Sequence, residues 1–235
     1  MKKIIQTFLP IFILSSQVFA IAGFGAYGDF DLLKYPAGSS GDISTYGVEY
    51  EGFDNPKGFG FLFYIDAIPV VDLEVDIEFV GNLYEYTPYL AGIPLASEDL
   101  PWGRVSTYVT IRKEILGLSI PLLAKAQLYG GLGFNKHKVI PIMTEKVIKE
   151  AFNADDLATA LDSFGTDADP DQAATDLAKS MLDNVEDVSG FHLQAGVRGK
   201  LLMFNAFVNA RYTIADVIPD KSGYPSLWVG LAIGI

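Results

Sequence analysis

Asp72-Leu73-Glu74-Val75-Asp76-Ile77-Glu78-Phe79 sets an apolar side chain at every odd position and a carboxylate at every even one. Successive side chains of an extended chain point to opposite faces, so this stretch predicts a β-strand with one apolar and one charged face. The period recurs on both sides of it. Ala22, Phe24, Ala26, Phe30 and Leu32 oppose Tyr27, Asp29 and Asp31, and Phe59, Phe61, Phe63 and Ile65 follow within 58–66. Val105, Val109 and Ile111 oppose Arg104, Ser106, Thr110 and Arg112.

The second half repeats the pattern. Leu122, Ala124, Ala126, Leu128, Leu132 and Phe134 oppose Lys125, Gln127, Tyr129 and Asn135. Phe191, Leu193, Ala195 and Val197 oppose His192, Gln194, Arg198 and Lys200. Leu202, Phe204, Ala206, Val208, Ala210 and Tyr212 oppose Asn205, Asn209 and Arg211, and Leu227, Val229, Leu231, Ile233 and Ile235 close the chain. Eight strands are expected, each near the ~9–11 residues that cross a bilayer at a tilt. The connections 67–71, 113–121 and around 201 are short, whereas 33–57, 87–103, 135–190 and 214–224 are long. Short turns at one end and long loops at the other predict an up-and-down barrel with both termini on the periplasmic side. Residues 43–53 also alternate. Counting them as wall would give nine strands and misplace the long loops, so they are expected to form an extracellular hairpin above strand two.

The composition excludes several classes. Of 235 residues, half are hydrophobic, with 16 Phe, 12 Tyr and no Cys. Such a chain is neither disordered nor held by disulfides or thiolate metal sites. A net charge of −12 argues against nucleic-acid binding. Lys2 and Lys3, the apolar run Phe8–Leu14 and Val18-Phe19-Ala20 read as a cleavable signal peptide over 1–20, which leaves a barrel domain over 21–235 with a net charge of −14.

Signal peptide, alternating strands and a strand running to the C-terminus together resemble the small eight-stranded outer-membrane barrels of Gram-negative bacteria, of the OmpA, OmpX and OmpW kind. Gly130-Gly131-Leu132-Gly133-Phe134 followed by a long insert adds to the likeness. The resemblance implies an all-β, up-and-down antiparallel transmembrane barrel in the cell outer membrane. Its implied partners are outer-membrane lipids, lipopolysaccharide and the outer-membrane assembly machinery. Such barrels usually end in an aromatic residue, whereas this sequence ends in Ile235.

Residues 144–187 break the strand pattern. Val147, Ile148, Ala151 and Phe152 share one side of a short helix, and Asp169-Pro170-Asp171-Gln172 reads as an N-cap, an N1 proline and an N3 glutamine. Twelve acidic residues against three lysines give the segment a net charge of −9, expected of an acidic helical extracellular insertion. It could hold divalent cations that bridge lipopolysaccharide phosphates, although a charge run more often serves only as a solvated face.

With lipid outside, the polar strand faces line the lumen. Asp66, Asp72, Glu74, Asp76 and Glu78 then meet Arg104, Arg112, Lys125, Arg198, Lys200 and Arg211, and an eight-stranded barrel is narrow enough for its own side chains to fill it. Arg112 is expected to reach an acid of strand two or three, with Lys125 and Arg198 closing the other side. His137 and His192 flank the insert and are expected at the outer rim; two ligands are too few to specify zinc. Ser189 near His192 has no third catalytic partner at a fixed spacing, and no cofactor motif is present. The favoured function is therefore structural or surface-interacting and non-catalytic. The alternatives are a narrow pore and a soluble lipocalin-like binder with its apolar face inward. Tyr84, Tyr86, Trp102, Tyr212, Tyr224 and Trp228, near strand ends, are expected to form interfacial girdles, which favours the membrane.

Overall fold

Eight long strands form the wall: β1 (Ala22–Asp31), β2 (Lys57–Ile65), β3 (Asp72–Leu90), β4 (Glu98–Ile120), β5 (Ala124–Val139), β6 (Glu186–Leu201), β7 (Phe204–Ile214) and β8 (Tyr224–Gly234). The structure, a computed structural model, describes residues 22–66, 70–120, 123–155, 159, 170–219 and 221–234. The expected signal peptide and the expected N-cap Asp169 lie outside these residues. Each wall strand pairs antiparallel with its chain neighbours, and β1 pairs with β8, so the sheet closes on itself.

The stagger of the circuit can be followed residue by residue. Partners run from Ala22 through Ile65, Leu73, Ile111, Leu132, Leu193 and Tyr212 to Pro225. The Leu32 amide then donates to the Pro225 carbonyl at 2.8 Å, so one turn around the barrel advances β1 by ten residues. That shear tilts the strands by roughly 35–45° and leaves an interior that side chains can fill.

The wall is longer than the alternation suggested. β3 and β4 run outward past the apolar zone and pair as far as Tyr86 and Glu98. The segment expected as a connection over 113–121 is mostly strand, because β4 continues to Ile120 after a bulge where the register slips beside Leu128 and Tyr129. A bulge inverts the side-chain parity beyond it, so a strict period of two does not detect the continuation. Residues 38–42 and 46–50 form a hairpin whose second arm pairs with Tyr86–Leu90 of β3. That is the same edge of β3 that β2 occupies lower down, so the hairpin does stand above strand two.

The two faces of the wall divide sharply. Phe24, Phe59, Phe61, Phe63, Ile111, Leu132, Phe134, Phe191, Leu193, Val229 and Leu231 all point outward and are exposed, Phe24 at 68% and Leu231 at 70%. Their alternate neighbours Tyr27, Asp29, Glu74, Asp76, Thr110, Gln194, Arg211 and Ser226 are buried inside. A continuous band of exposed large apolar side chains is unsuited to water, and a polar interior is the reverse of a lipocalin's ligand-filled cavity. The expected girdle is mostly absent: Tyr84, Tyr86, Trp102, Tyr224 and Trp228 are buried inside, and Tyr212 alone of the six lies on the outer surface.

Between β5 and β6 lie α1 (Glu145–Ala151) and α2 (Pro170–Asp183). Thr144 caps α1, its hydroxyl accepting from the Val147 amide. Ser180 of α2 donates to the buried Val147 carbonyl at 3.0 Å, which ties the two helices together. Val147, Ile148, Leu177 and Met181 are buried against Leu33, Tyr35, Phe53, Tyr84, Trp102, Ile142, Val217 and Tyr224. The insertion is therefore part of an apolar roof over the outer mouth.

The filled lumen and its roof, a candidate functional site

The lumen charges form two tiers. In the tier nearer the chain termini, Arg112 donates to Glu74 at 2.6 Å and reaches Asp66 at 3.3 Å, while Arg198 meets the other Asp66 oxygen at 2.5 Å. Their guanidinium groups lie over aromatic rings, Arg112 at 5.0 Å from Tyr129 and Arg198 at 4.3 Å from Tyr64. Tyr64, Tyr129, Phe207, Trp228 and Leu62 belong, with Tyr27 and Ala232, to one buried cluster that extends from this tier towards the outer one.

Glu78 is the hub of the outer tier. One of its oxygens accepts from Arg104 at 2.7 Å and Tyr108 at 3.3 Å, and the other accepts from Arg211 at 3.2 Å and Tyr27 at 3.3 Å. Arg211 also donates to Asp76 and lies 3.8 Å from the Tyr108 ring centre. Gln194 joins the tiers, donating to Glu74 at 2.7 Å and accepting from Arg211 at 3.3 Å. Buried charges persist only when paired and hydrogen-bonded, and most of these are.

Eight of the eleven charged residues anticipated from sequence meet in this network: Asp66, Glu74, Asp76, Glu78, Arg104, Arg112, Arg198 and Arg211. Lys125 does not. It pairs with Glu114 at 2.5 Å on the half-exposed β4–β5 hairpin, because the bulge carries that hairpin below the end of β3. Asp72 and Lys200 lie half-buried near the barrel mouth on the side of the chain termini, and neither closes an ion pair with a described residue. The network also includes residues that alternation placed on the polar faces without a role. Asp31 meets Arg104 at 2.9 Å, and Tyr27 and Gln194 supply neutral hydrogen bonds, joined by Tyr108, which the sequence reading did not single out.

The histidines sit inside the barrel and not at its rim. His137 Nδ1 lies 2.8 Å from the Ser106 hydroxyl, and His192 Nε2 lies 2.8 Å from that of Thr110. Both rings meet Tyr108 edge-on, at 5.6 and 5.1 Å. Ser189, the serine near His192 in sequence, is exposed and takes no part. The Ser106–His137 contact resembles half of a hydrolytic dyad. Both residues are fully buried, and no described acid orients the free Nε2, so the pair has neither substrate access nor the third group that such chemistry needs.

Above the lumen the roof is secured by polar contacts as well as apolar ones. The buried Met143 amide donates to the Tyr84 hydroxyl at 2.8 Å, and the Glu145 amide donates to Ser40 at 3.0 Å. Beside the roof opens a cavity of about 700 Å³ lined in part by Tyr35, Tyr50, Trp102, Ile142, Glu186 and Asp216. Burial, with Glu186 and neighbouring tyrosines nearby, raises the Tyr35 hydroxyl above its usual range and keeps it neutral.

No protein-family model matches the sequence, and neither does any curated protein. Among solved structures, the N-terminal β-barrel domain of Pseudomonas aeruginosa OprF is similar, with a TM-score of 0.44, 8% identity, and coverage of 92% of this chain and 97% of that one. Neisserial surface protein A gives a TM-score of 0.42 at 10% identity, over 91% of this chain and 96% of that one. Ail, the attachment invasion locus protein of Yersinia pestis, gives 0.41 at 9% identity, over 92% and 99%. The barrel assignment rests on the closed strand circuit and not on these low values.

Proposed function

We propose that the protein is an outer-membrane barrel that holds an acidic extracellular cap and acts through surface contacts, without conduction or catalysis. One observation carries this reading: the lumen is filled by paired charges and aromatic rings, and its outer mouth is roofed by a buried apolar core. A solute crossing the barrel would have to break several buried ion pairs, each costing ~3–5 kcal/mol. The apolar outer wall supports residence in a bilayer, and the reading of residues 1–20 as a signal peptide supports export to the outer membrane. The assembly machinery and lipopolysaccharide are the proposed partners there. The cavity beside the roof, with aromatic walls and two carboxylates, is the proposed contact surface.

Outer-membrane fractionation, gel mobility before and after boiling, and planar-bilayer recording test the proposal together. The expected result is a membrane-bound, heat-modifiable band with no stepwise conductance. Recovery in the soluble periplasm would contradict the location, and regular conductance steps would promote the narrow-pore alternative.

A further inference from the structure

Charge does not balance in the outer tier. Arg104 and Arg211 face Asp29, Asp31, Asp76 and Glu78, and every one of the six is at most 5% exposed. The arginines are committed to Asp31, Asp76 and Glu78. Asp29 is left over: it makes no ion pair with a described residue, and neither of its oxygens accepts a hydrogen bond from one. Asp31 approaches Arg104 only through Oδ2, out of line for a hydrogen bond, and its Oδ1 has no described partner. Burying a carboxylate without compensation is among the costliest arrangements open to a protein.

The orphaned carboxylate points at two others. One oxygen each from Asp29, Asp31 and Glu78 lie within 4.8 Å of one another, the one such group of three among the described residues. Local sequence creates the convergence. Asp29 and Asp31 are two apart on β1 and share its inner face, while Glu78 comes from β3, on the far side of β2. Between them β2 carries Gly58, opposite Asp29, and Gly60, opposite Glu78. With no side chain there, carboxylates from two non-adjacent strands can meet across the strand between them. A Cβ at Gly60 would lie 2.3 Å from the Tyr27 ring, which crosses that glycine and brings its hydroxyl to Glu78.

We propose that Asp29, Asp31 and Glu78 bind one divalent cation, with Ca²⁺ the best fit. The donors are all carboxylate oxygens, the set that suits a hard cation. Oxygens bound at ~2.4 Å to one Ca²⁺ lie at most about 4.8 Å apart, and these three fall within that limit of one another. Four acids against two arginines leave two negative charges, which one divalent ion neutralises. The ion ties β1 to β3 across the glycines of β2 and braces the outer lumen beneath the roof.

The test uses the full-length barrel, refolded in detergent after EDTA treatment, with Ca²⁺ or with chelator, then desalted and analysed for metal. One Ca²⁺ per folded barrel is expected in the wild type and at least ten-fold less in Asp29→Asn. The control Asp183→Asn, on the exposed insertion, should keep its Ca²⁺. Terbium provides a readout independent of the variant's folding. Bound near Tyr27 and Trp228, it should show sensitised emission in the wild type that Ca²⁺ displaces. A folded wild-type barrel that holds no metal and sensitises no terbium overturns the proposal. So does a folded Asp29→Asn barrel that retains its metal.

Discussion

Replacing Arg112 with leucine should destabilise the barrel strongly, and most of the loss should return when Glu74 is neutralised as well. Arg112 is fully buried, donates to Glu74 at 2.6 Å and lies 5.0 Å from the Tyr129 ring centre. Leucine keeps much of the volume but leaves the Glu74 charge facing a dry lumen, supported only by Gln194 at 2.7 Å. Removing one partner of a buried pair costs ~3–5 kcal/mol, and one lost ring contact adds about 0.5–2 kcal/mol. Asp66 suffers less, because Arg198 still holds it at 2.5 Å. In Arg112→Leu/Glu74→Gln the stranded charge is gone and glutamine can still bond to Gln194, so the double variant should lie within about 2 kcal/mol of the wild type. Urea unfolding in lipid vesicles, followed by gel mobility, gives the four corners of the cycle. The expected coupling is about 2–3 kcal/mol. A coupling below about 1 kcal/mol would refute the buried pairing, since solvent-exposed pairs reach about that value.

Other outcomes follow from the same structure. Replacing residues 145–183 with a short Gly/Ser turn should leave a folded, heat-modifiable barrel, because the described residues of the segment contribute no wall strand, but should raise binding of an apolar dye at the uncovered Tyr84 and Trp102. Loss of the folded band, or unchanged dye binding, would contradict the roof. Leu202 holds a φ of +55° in the two-residue turn between β6 and β7, so Leu202→Asn should stabilise by about 1 kcal/mol in the same urea assay; destabilisation would count against that turn geometry. The Ser44 amide and hydroxyl donate to Asp42 at 3.0 and 2.7 Å and hold its carboxyl below the usual range. A depressed carboxylate supports the turn above the ordinary Asp value of about 3.9 and loses that support as pH falls through its lowered value. The Ser44 amide resonance should therefore titrate only in that acid window, and Asp42→Ala should abolish the response.

The parts of the molecule that the sequence disclosed are those where lipid forces strict alternation. Phe204 through Tyr212 can be read without ambiguity because every outward side chain meets the bilayer and nearly every inward one is polar. Phe207 and Trp228 broke the rule in the other direction: the lumen floor also accepts aromatic rings, stacked under guanidinium groups, and composition alone does not tell such a ring from an interfacial one. Beyond the apolar zone the constraint lapses. Residues 87–103 read as a long connection, yet Pro88 and Pro101 lie within β3 and β4 and Pro94 in a short strand paired to β3. The site was legible as a set of charges but not as a set of pairs. Arg112's reach to strand-three acid followed from strand order, whereas the bulge at Ile115 that removes Lys125 from the network left no signal in the alternation. Likewise, the convergence of Asp29 and Asp31 on Glu78 depends on two glycines in the strand between them, and that is visible only once the register is known.

The most direct measurement is an accessibility scan along β8 in lipid vesicles. Because the chain has no cysteine, single cysteines at 226–229 and 231 can each carry one spin label without background. Leu227, Val229 and Leu231 face outward and Ser226 and Trp228 face inward. Labels at 227, 229 and 231 should be relaxed strongly by oxygen dissolved in the bilayer, and those at 226 and 228 should be immobile and protected from it. An inverted pattern, or one without a period of two, would contradict a barrel with lipid outside and a filled polar lumen.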